Sequence, residues 1–312
     1  MKKLAFLFPG QGSQSVGMGR DFYEAFKEVR DLFETVSQMA GVDIAERCFN
    51  GPAVELTRTK NLQPAITAVN LAICKVLNQN GFRPDFVAGH SLGEYSALCA
   101  AGVLTAEATL RLVCMRASLM EREAAKHPGA MVAVVGLSGA EVEALVARAR
   151  RRGEVGVANY NGPEQIVVTG APEPVEALGA AVSEKGGRVL PLNVSGAWHS
   201  PLMQGAEDEL ARAFEAETFS RPECAVVLNV TAAFTAEPDQ IRETMARQLC
   251  HPVRWHESMH RIVGQAPDAF LEVGPGKVLA GLLKRILPTG MKIPIYCVNS
   301  LPELEKVLAH LQ

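Results

Sequence analysis

The stretch Phe86-Val87-Ala88-Gly89-His90-Ser91-Leu92-Gly93-Glu94-Tyr95 sets a serine in the order Gly-x-Ser-x-Gly, after a short apolar run and before a helical one. This is the nucleophile-elbow pattern. The glycines let neighbouring backbone approach, the hydroxyl stands at the tip of a strand, and a helix N-terminus lies behind it. The chemistry on offer is attack on an acyl carbon, with the amide of Leu92 available to an oxyanion. The plainer alternative is that Ser91 only caps a helix.

A serine hydroxyl needs a base to attack a carbonyl at neutral pH. Seven histidines are available, at 90, 127, 199, 251, 256, 260 and 310. His90 adjoins Ser91, but alternation along a strand sends its side chain to the other face. His127 falls in a connecting segment and His310 in the closing helix. His256 and His260 lie one helical turn apart, a spacing that could hold a metal. A solvated helix face is the better expectation for that pair, and no metal site is assigned. His199 stands in Gly196-Ala197-Trp198-His199-Ser200-Pro201, after a strand and before a Pro-started helix, where loops present reactive groups. It is the candidate base; the alternative is a loop histidine that bonds its neighbours. No aspartate lies between Ser91 and His199, so no Ser–acid–His order is legible. A backbone or side-chain carbonyl would then have to accept the Nδ1 proton.

In the helix expected from Thr105, the residues Thr109, Leu112, Val113, Leu119 and Met120 fall on one stripe, and Arg116 lies in its middle. A guanidinium on an apolar face is costly without an anionic partner. Two readings stand level: an internal ion pair or snorkelling side chain, or a bidentate clamp for a substrate carboxylate.

These residues need a scaffold, and the chain alternates strand-like runs with helical periodicity, which predicts an α/β protein. Strands are expected at 4–8, 85–90, 225–230, 269–273 and 293–298. Helices are expected at about 20–39, 64–80, from Ser91, from Thr105 (an N-cap with Glu107 in the first turn), 201–216, 238–249, 254–263 and 276–286, with one more closing the chain. Between about 129 and 195 the order becomes β-α-β-β-α-β, a split βαβ unit. The expected architecture is a large α/β-hydrolase-like body with a parallel sheet (1–127 and 197–312) and an inserted ferredoxin-like subdomain (128–196).

Composition narrows the function classes. The formal net charge of −3 gives no global basic field for nucleic acid or anionic lipid. No run approaches the ~20 apolar residues of a membrane span, and the N-terminal apolar run is too short for a signal peptide. The seven cysteines are scattered, odd in number and free of any CxxC, which fits small core residues in a reducing cytoplasm.

From end to end the chain resembles the malonyl-CoA:acyl carrier protein transacylases. The resemblance rests on FPGQGSQ (8–14), QPA (63–65), GHSLGEYSAL (89–98), MRASLM (115–120), GAMVAVVG (129–136), NYNGPEQIVVTG (159–170), GAWHSPLM (196–203), QLCHPVRW (248–255) and EVGPGKVLAGLLKRI (272–286), all in order. It implies that Ser91 is the acylated nucleophile, His199 its base, and Gln248 the source of the carbonyl that holds His199. Gln11 and Leu92 would offer the oxyanion amides, Arg116 would bind the malonyl carboxylate, and Gln63 would line the pocket beside it. Without the resemblance, Gln11, Gln63 and Gln248 read as turn and helix-surface residues. Trp198 departs from the usual Phe of related domains and implies a tight pocket that rejects a 2-methyl group.

The implied reaction moves malonyl from malonyl-CoA to the thiol of holo acyl carrier protein through a malonyl-serine, by a ping-pong scheme and without a cofactor, in a cytoplasmic monomer of fatty acid biosynthesis. Lys185, Arg188, Lys284 and Arg285 are candidates to greet an acidic carrier protein. The rival readings are a serine hydrolase or thioesterase, a discrete acyltransferase of polyketide assembly, and a carrier-binding module without catalysis.

Overall fold

The computed structural model describes residues 2–311. Strand β1 (Leu4–Phe8) is buried on both faces. Phe6 and Phe8 join one apolar core, Ala5 and Leu7 another, as the two-residue period of a strand requires. Helices α1 (Arg20–Ala25), α2 (Lys27–Ala40), α3 (Ile44–Asn50), α4 (Ala53–Thr57) and α5 (Thr59–Gln79) follow. Then come β2 (Phe86–Gly89), α6 (Gly93–Ala100) and α7 (Ala106–Lys126). After residue 200 the chain adds α10 (Gln204–Glu215), β7 (Ala225–Val226), α11 (Pro238–Ala246), α12 (Trp255–Val263), β8 (Ala269–Val273), α13 (Val278–Ile286), β9 (Ile295–Val298) and α14 (Leu301–Leu311). The five strands of this body form one parallel sheet in the order β7-β2-β1-β8-β9.

Between α7 and α10 lies a second sheet. Strands β3 (Ala130–Val135), β4 (Val155–Gly162), β5 (Gln165–Gly170) and β6 (Arg188–Pro191) pair antiparallel in the order β4-β5-β3-β6. Helices α8 (Gly139–Ala149) and α9 (Pro172–Glu184) close a separate small core with Val134, Val142, Val168 and Val182. A Ser138–Glu141 capping box opens α8 and Pro172 opens α9. The two ends of this segment meet, since a Cβ on Gly129 would stand 2.3 Å from the Ala197 nitrogen. Backbone bonds between β4 and Val253 (Tyr160 N–H to Val253 O, 2.9 Å; Val253 N–H to Ala158 O, 2.8 Å) stitch it to the body.

Several boundaries differ from expectation. Helix α5 starts at Thr59, five residues before Pro64, because tertiary burial along nearly its whole length outweighs the hydrogen bond that Pro64 forgoes. The strand expected at 225–230 is assigned only over Ala225–Val226; Val227 still donates to the Val87 carbonyl (3.1 Å), and beyond it Asn229 turns toward the elbow. The 201–216 helix begins with a 3₁₀ turn at Pro201–Met203, and the 238–249 helix stops at Ala246 before a 3₁₀ turn at Gln248–Cys250. Thr105 caps α7, accepting from the Ala108 amide at 3.1 Å. Short helices α3 and α4 fall where no element was expected. Among the described residues no helix is long and apolar enough to cross a membrane.

The elbow depends on close backbone approach. A Cβ on Gly93 would stand 2.0 Å from the Phe8 carbonyl oxygen, and one on Gly89 2.0 Å from the Gly93 carbonyl. Gly93→Ala should therefore lower stability by at least ~2 kcal/mol in urea unfolding. Gly281→Ala, in α13 with nothing within 4 Å of its would-be Cβ, should be neutral or stabilise by up to ~1 kcal/mol.

Candidate active site

Ser91 does not cap the helix. Its φ of 51° lies in the left-handed region, and Leu92 takes the N-cap position of α6. A non-glycine residue there costs roughly 1–2 kcal/mol, so the surroundings must hold it. Asn229 holds it from behind: its Oδ1 accepts from the Ser91 amide (2.7 Å) and its Nδ2 donates to the Gly89 carbonyl (2.7 Å).

His199 also has a left-handed φ, of 60°, and lies 5% exposed before the Pro201 turn. Its Nδ1 faces two backbone carbonyls, those of Gln248 and His251, each at 3.0 Å. Both are acceptors, so Nδ1 carries the proton and Nε2 offers its lone pair to the Ser91 hydroxyl at 2.8 Å. The orienting group is thus a pair of main-chain carbonyls, one of them the Gln248 carbonyl that the resemblance implied. Burial, and after it the Arg116 charge, push the imidazole pKa down to about 3, which keeps it neutral. His90 bonds Asn161 Oδ1 (2.7 Å) and packs edge-on against Trp255, leaving Ser91 to His199.

Arg116 is 1% exposed and ends at the serine. Nη1 donates to Gln63 Oε1 (2.8 Å); Nη2 donates to Ser91 Oγ (3.2 Å) and Gln248 Oε1 (3.3 Å). Each partner is neutral, and among the described residues Nε has none. Burial pulls the guanidinium pKa down from its ordinary value. The internal ion pair is therefore not formed, and an anion entering here would meet a buried cation with no carboxylate in contact.

A cavity of about 90 Å³ opens at this point, with Gln11, Leu92 and Arg116 from the body, Met131 and Asn159 from the small sheet, and Trp198 and His199 from the connecting loop. Gly10 lies against the elbow, since its Cβ would stand 3.5 Å from the Leu92 nitrogen. Among the described residues neither the Gln11 nor the Leu92 amide has a backbone acceptor. Two free N–H groups beside an activated serine can hold an oxyanion. Trp198 is among the residues lining this cavity; the far edge of its ring packs against Gly196, and its Nε1 is buried and unpartnered among the described residues.

Other candidates scatter. Lys284 and Arg285 line a larger, shallow surface groove of about 540 Å³, and Arg285 donates to Gln165 Oε1 at 3.0 Å. Lys185 and Arg188 are exposed on the small sheet's side. His256 and His260, which with Glu257 have the literal HExxH spacing, touch through their Nε2 atoms (2.9 Å), while Glu257 is tied to Arg254. Among the described residues no third candidate ligand joins them; His260 is exposed and His256 half-buried. Asn229, Glu94 and the His251 carbonyl were missed. The available signals were a polar Asn in an apolar run and a lone acid in an otherwise apolar helix.

A neutral serine–histidine pair at an elbow, with two amides lacking backbone acceptors and a buried cation lacking an anionic partner, has the parts that acyl transfer needs. The chain matches the family described as acyl transferase domain over residues 5–306 and belongs to it, among the malonyl CoA-acyl carrier protein transacylases. The enzyme of that name from Escherichia coli K12 is 41% identical over 291 residues, covering 93% of this chain and 94% of its own length. The crystal structure of the Clostridium perfringens transacylase superposes with a TM-score of 0.93 at 35% identity, covering 99% of this chain and 97% of that one. A malonyl-transacylase solved in complex with a type II PKS acyl-carrier protein also gives 0.93, at 38% identity, covering 98% and 99%.

The serine–histidine geometry has a consequence independent of any substrate. A fluorophosphonate probe should label Ser91 selectively, and Ser91→Ala should abolish labelling. His199→Ala should slow it by about 10²- to 10⁴-fold, measured by intact-protein mass against time.

Proposed function

We propose that the chain transfers malonyl from malonyl-CoA to the phosphopantetheine thiol of a holo acyl carrier protein, through a malonyl ester of Ser91. The observation that carries this reading is Arg116: a buried guanidinium with only neutral partners, 3.2 Å from Ser91 Oγ. An acyl group with a free carboxylate at its far end fits that arrangement, and family membership supports it.

In the first half-reaction Ser91 Oγ attacks the thioester carbon and its proton passes to His199 Nε2. The carbonyl oxygen takes the charge between the Gln11 and Leu92 amides. Collapse breaks the C–S bond, and the proton goes from His199 to the departing CoA sulfur. In the second half the carrier thiol gives its proton to His199, attacks the ester, and Ser91 leaves reprotonated. Gln63 and Gln248 orient Arg116 on the malonyl carboxylate, and Trp198 limits the room beside its C2. The resident groups need no metal or cofactor for these steps.

We further infer that 1–127 and 197–312 form a catalytic body of α/β-hydrolase-like kind and that 128–196 is an inserted ferredoxin-like subdomain. The strand order β4-β5-β3-β6 and the meeting of Gly129 with Ala197 support this. The cavity between them would keep water from the ester.

Intact-protein mass after brief mixing with malonyl-CoA should show one malonyl adduct on wild type and none on Ser91→Ala. Methylmalonyl-CoA should give little until Trp198→Ala enlarges the pocket. Arg116→Ala should slow malonyl transfer by about 10²- to 10³-fold while sparing acetyl transfer. Equal losses for both acyl groups would remove the clamp, and CoA release without an adduct would favour a hydrolase.

A further inference from the structure

Glu94, in the first turn of α6, is an acid to which the reaction above gives no part. It is 1% exposed, and both carboxyl oxygens are engaged. Oε1 accepts from the Asn229 amide (2.6 Å) and Oε2 from Gln248 Nε2 (2.5 Å). Each of these partners reaches on to Ser91. Asn229 Oδ1 accepts from the Ser91 N–H, and Gln248 Nε2 also donates to the Ser91 carbonyl at 3.0 Å. The opposite end of the Gln248 amide accepts from Arg116 Nη2.

We propose that Glu94 is a positioning residue for acyl transfer: as a carboxylate it fixes Asn229 and Gln248, and through them the Ser91 backbone and the aim of Arg116. This rests on the reading of Ser91 as nucleophile. Both groups facing Glu94 are donors, so both of its oxygens must accept; a carboxylate does this with nothing left over, an amide sets its NH2 against a donor, and a carboxylic acid adds an O–H with no acceptor facing it. The Gln248 amide then has one allowed orientation, with nitrogen toward Glu94 and oxygen toward Arg116. Turning it over would set its NH2 against the Arg116 donor. Glu94 and Arg116 also attract one another through space, while the Gln248 amide stands between them. The guanidinium is thus balanced without contact, and its face stays open to an incoming carboxylate.

Burial raises the Glu94 carboxyl to about 7, within the range of an assay. The charged or titratable groups facing it are Arg116 from α7 and Tyr95 beside it on α6; the 3₁₀ turn and the loop after β7 contribute only the neutral Gln248 and Asn229. His199, pushed down first by burial and then by the Arg116 charge, is held near 3. The sign follows: above the Glu94 midpoint the carboxylate holds the network, and below it protonation removes an acceptor and the acylation rate falls.

The test is single-turnover malonylation of Ser91 by malonyl-CoA from about pH 5 to about pH 9, read by intact mass, on wild type and Glu94→Gln. The expected wild-type profile is a plateau with an acid limb near 7. The expected Glu94→Gln rate is about 10- to 100-fold below that plateau, with the limb gone. A Glu94→Gln rate within about threefold of the plateau, or a limb that survives in it, overturns the proposal. If the variant does not fold, wild type decides alone, because a flat profile across this range also overturns it. Absence of any wild-type adduct at every pH sinks the nucleophile itself, whereas an adduct without the limb sinks only the role of Glu94.

Discussion

A positive charge taken out of water with no carboxylate against it is the constraint on which the site turns. Arg116 lies in the apolar stripe of α7 and cannot leave it without opening the core between α5 and α7. Its charge is met by three neutral oxygens, from Gln63, Ser91 and Gln248. These partners come from α5, the elbow and the turn before α12, so the cation pins three separated parts of the chain to one point. A direct acidic partner would fill the face of the guanidinium that, on the proposed reading, the substrate carboxylate takes. The surrounding amides therefore do what a salt bridge would otherwise do, with less of their attraction spent before substrate arrives.

The same economy governs the backbone. Ser91 and His199 both sit at left-handed φ, and a side chain gains nothing locally from that conformation. Each is held by bonds from distant segments: Ser91 by Asn229 and Gln248, His199 by the carbonyls of Gln248 and His251. The turn at Gln248–Cys250 takes part in both and touches Arg116 as well. The bonds of β4 to Val253 anchor the small sheet just beyond this turn, so the wall of the cavity and the reactive groups share one support.

How much of this was legible in the sequence follows from distance along the chain. Ser91 and its elbow are a local pattern, and the apolar stripe that exposes Arg116 as an anomaly is local too. Strand 269–273 and the cap at Thr105 were equally readable, because period and capping are short-range effects. Glu94 and Asn229 act across more than a hundred residues, and no spacing records that. Asn229 also shows how a site overrides an element. The apolar run 225–230 has strand character, but the chain leaves the ladder after the Val227 bond to Val87, and two residues on Asn229 reaches the elbow. The start of α5 departs for the opposite reason: the expected helix began at 64, while the buried turn ahead of Pro64 is already helical.

The absence of a carboxylate behind His199 bears on what the ester can react with. A base buried from water and placed beside a guanidinium is weak, and two neutral carbonyls raise its basicity only in part. An alkyl thiol, with a pKa of about 8.5, yields its proton far more readily than water, at about 15.7. A weak base therefore discriminates strongly in favour of the thiol. On the proposed reading both the leaving group and the acceptor are thiols of the same kind, so the two half-reactions ask the same of His199 in opposite directions. Strengthening the base with an acid would speed attack by water more than it would help exchange. The carbonyl pair thus suits an enzyme that must pass its acyl group on before water takes it.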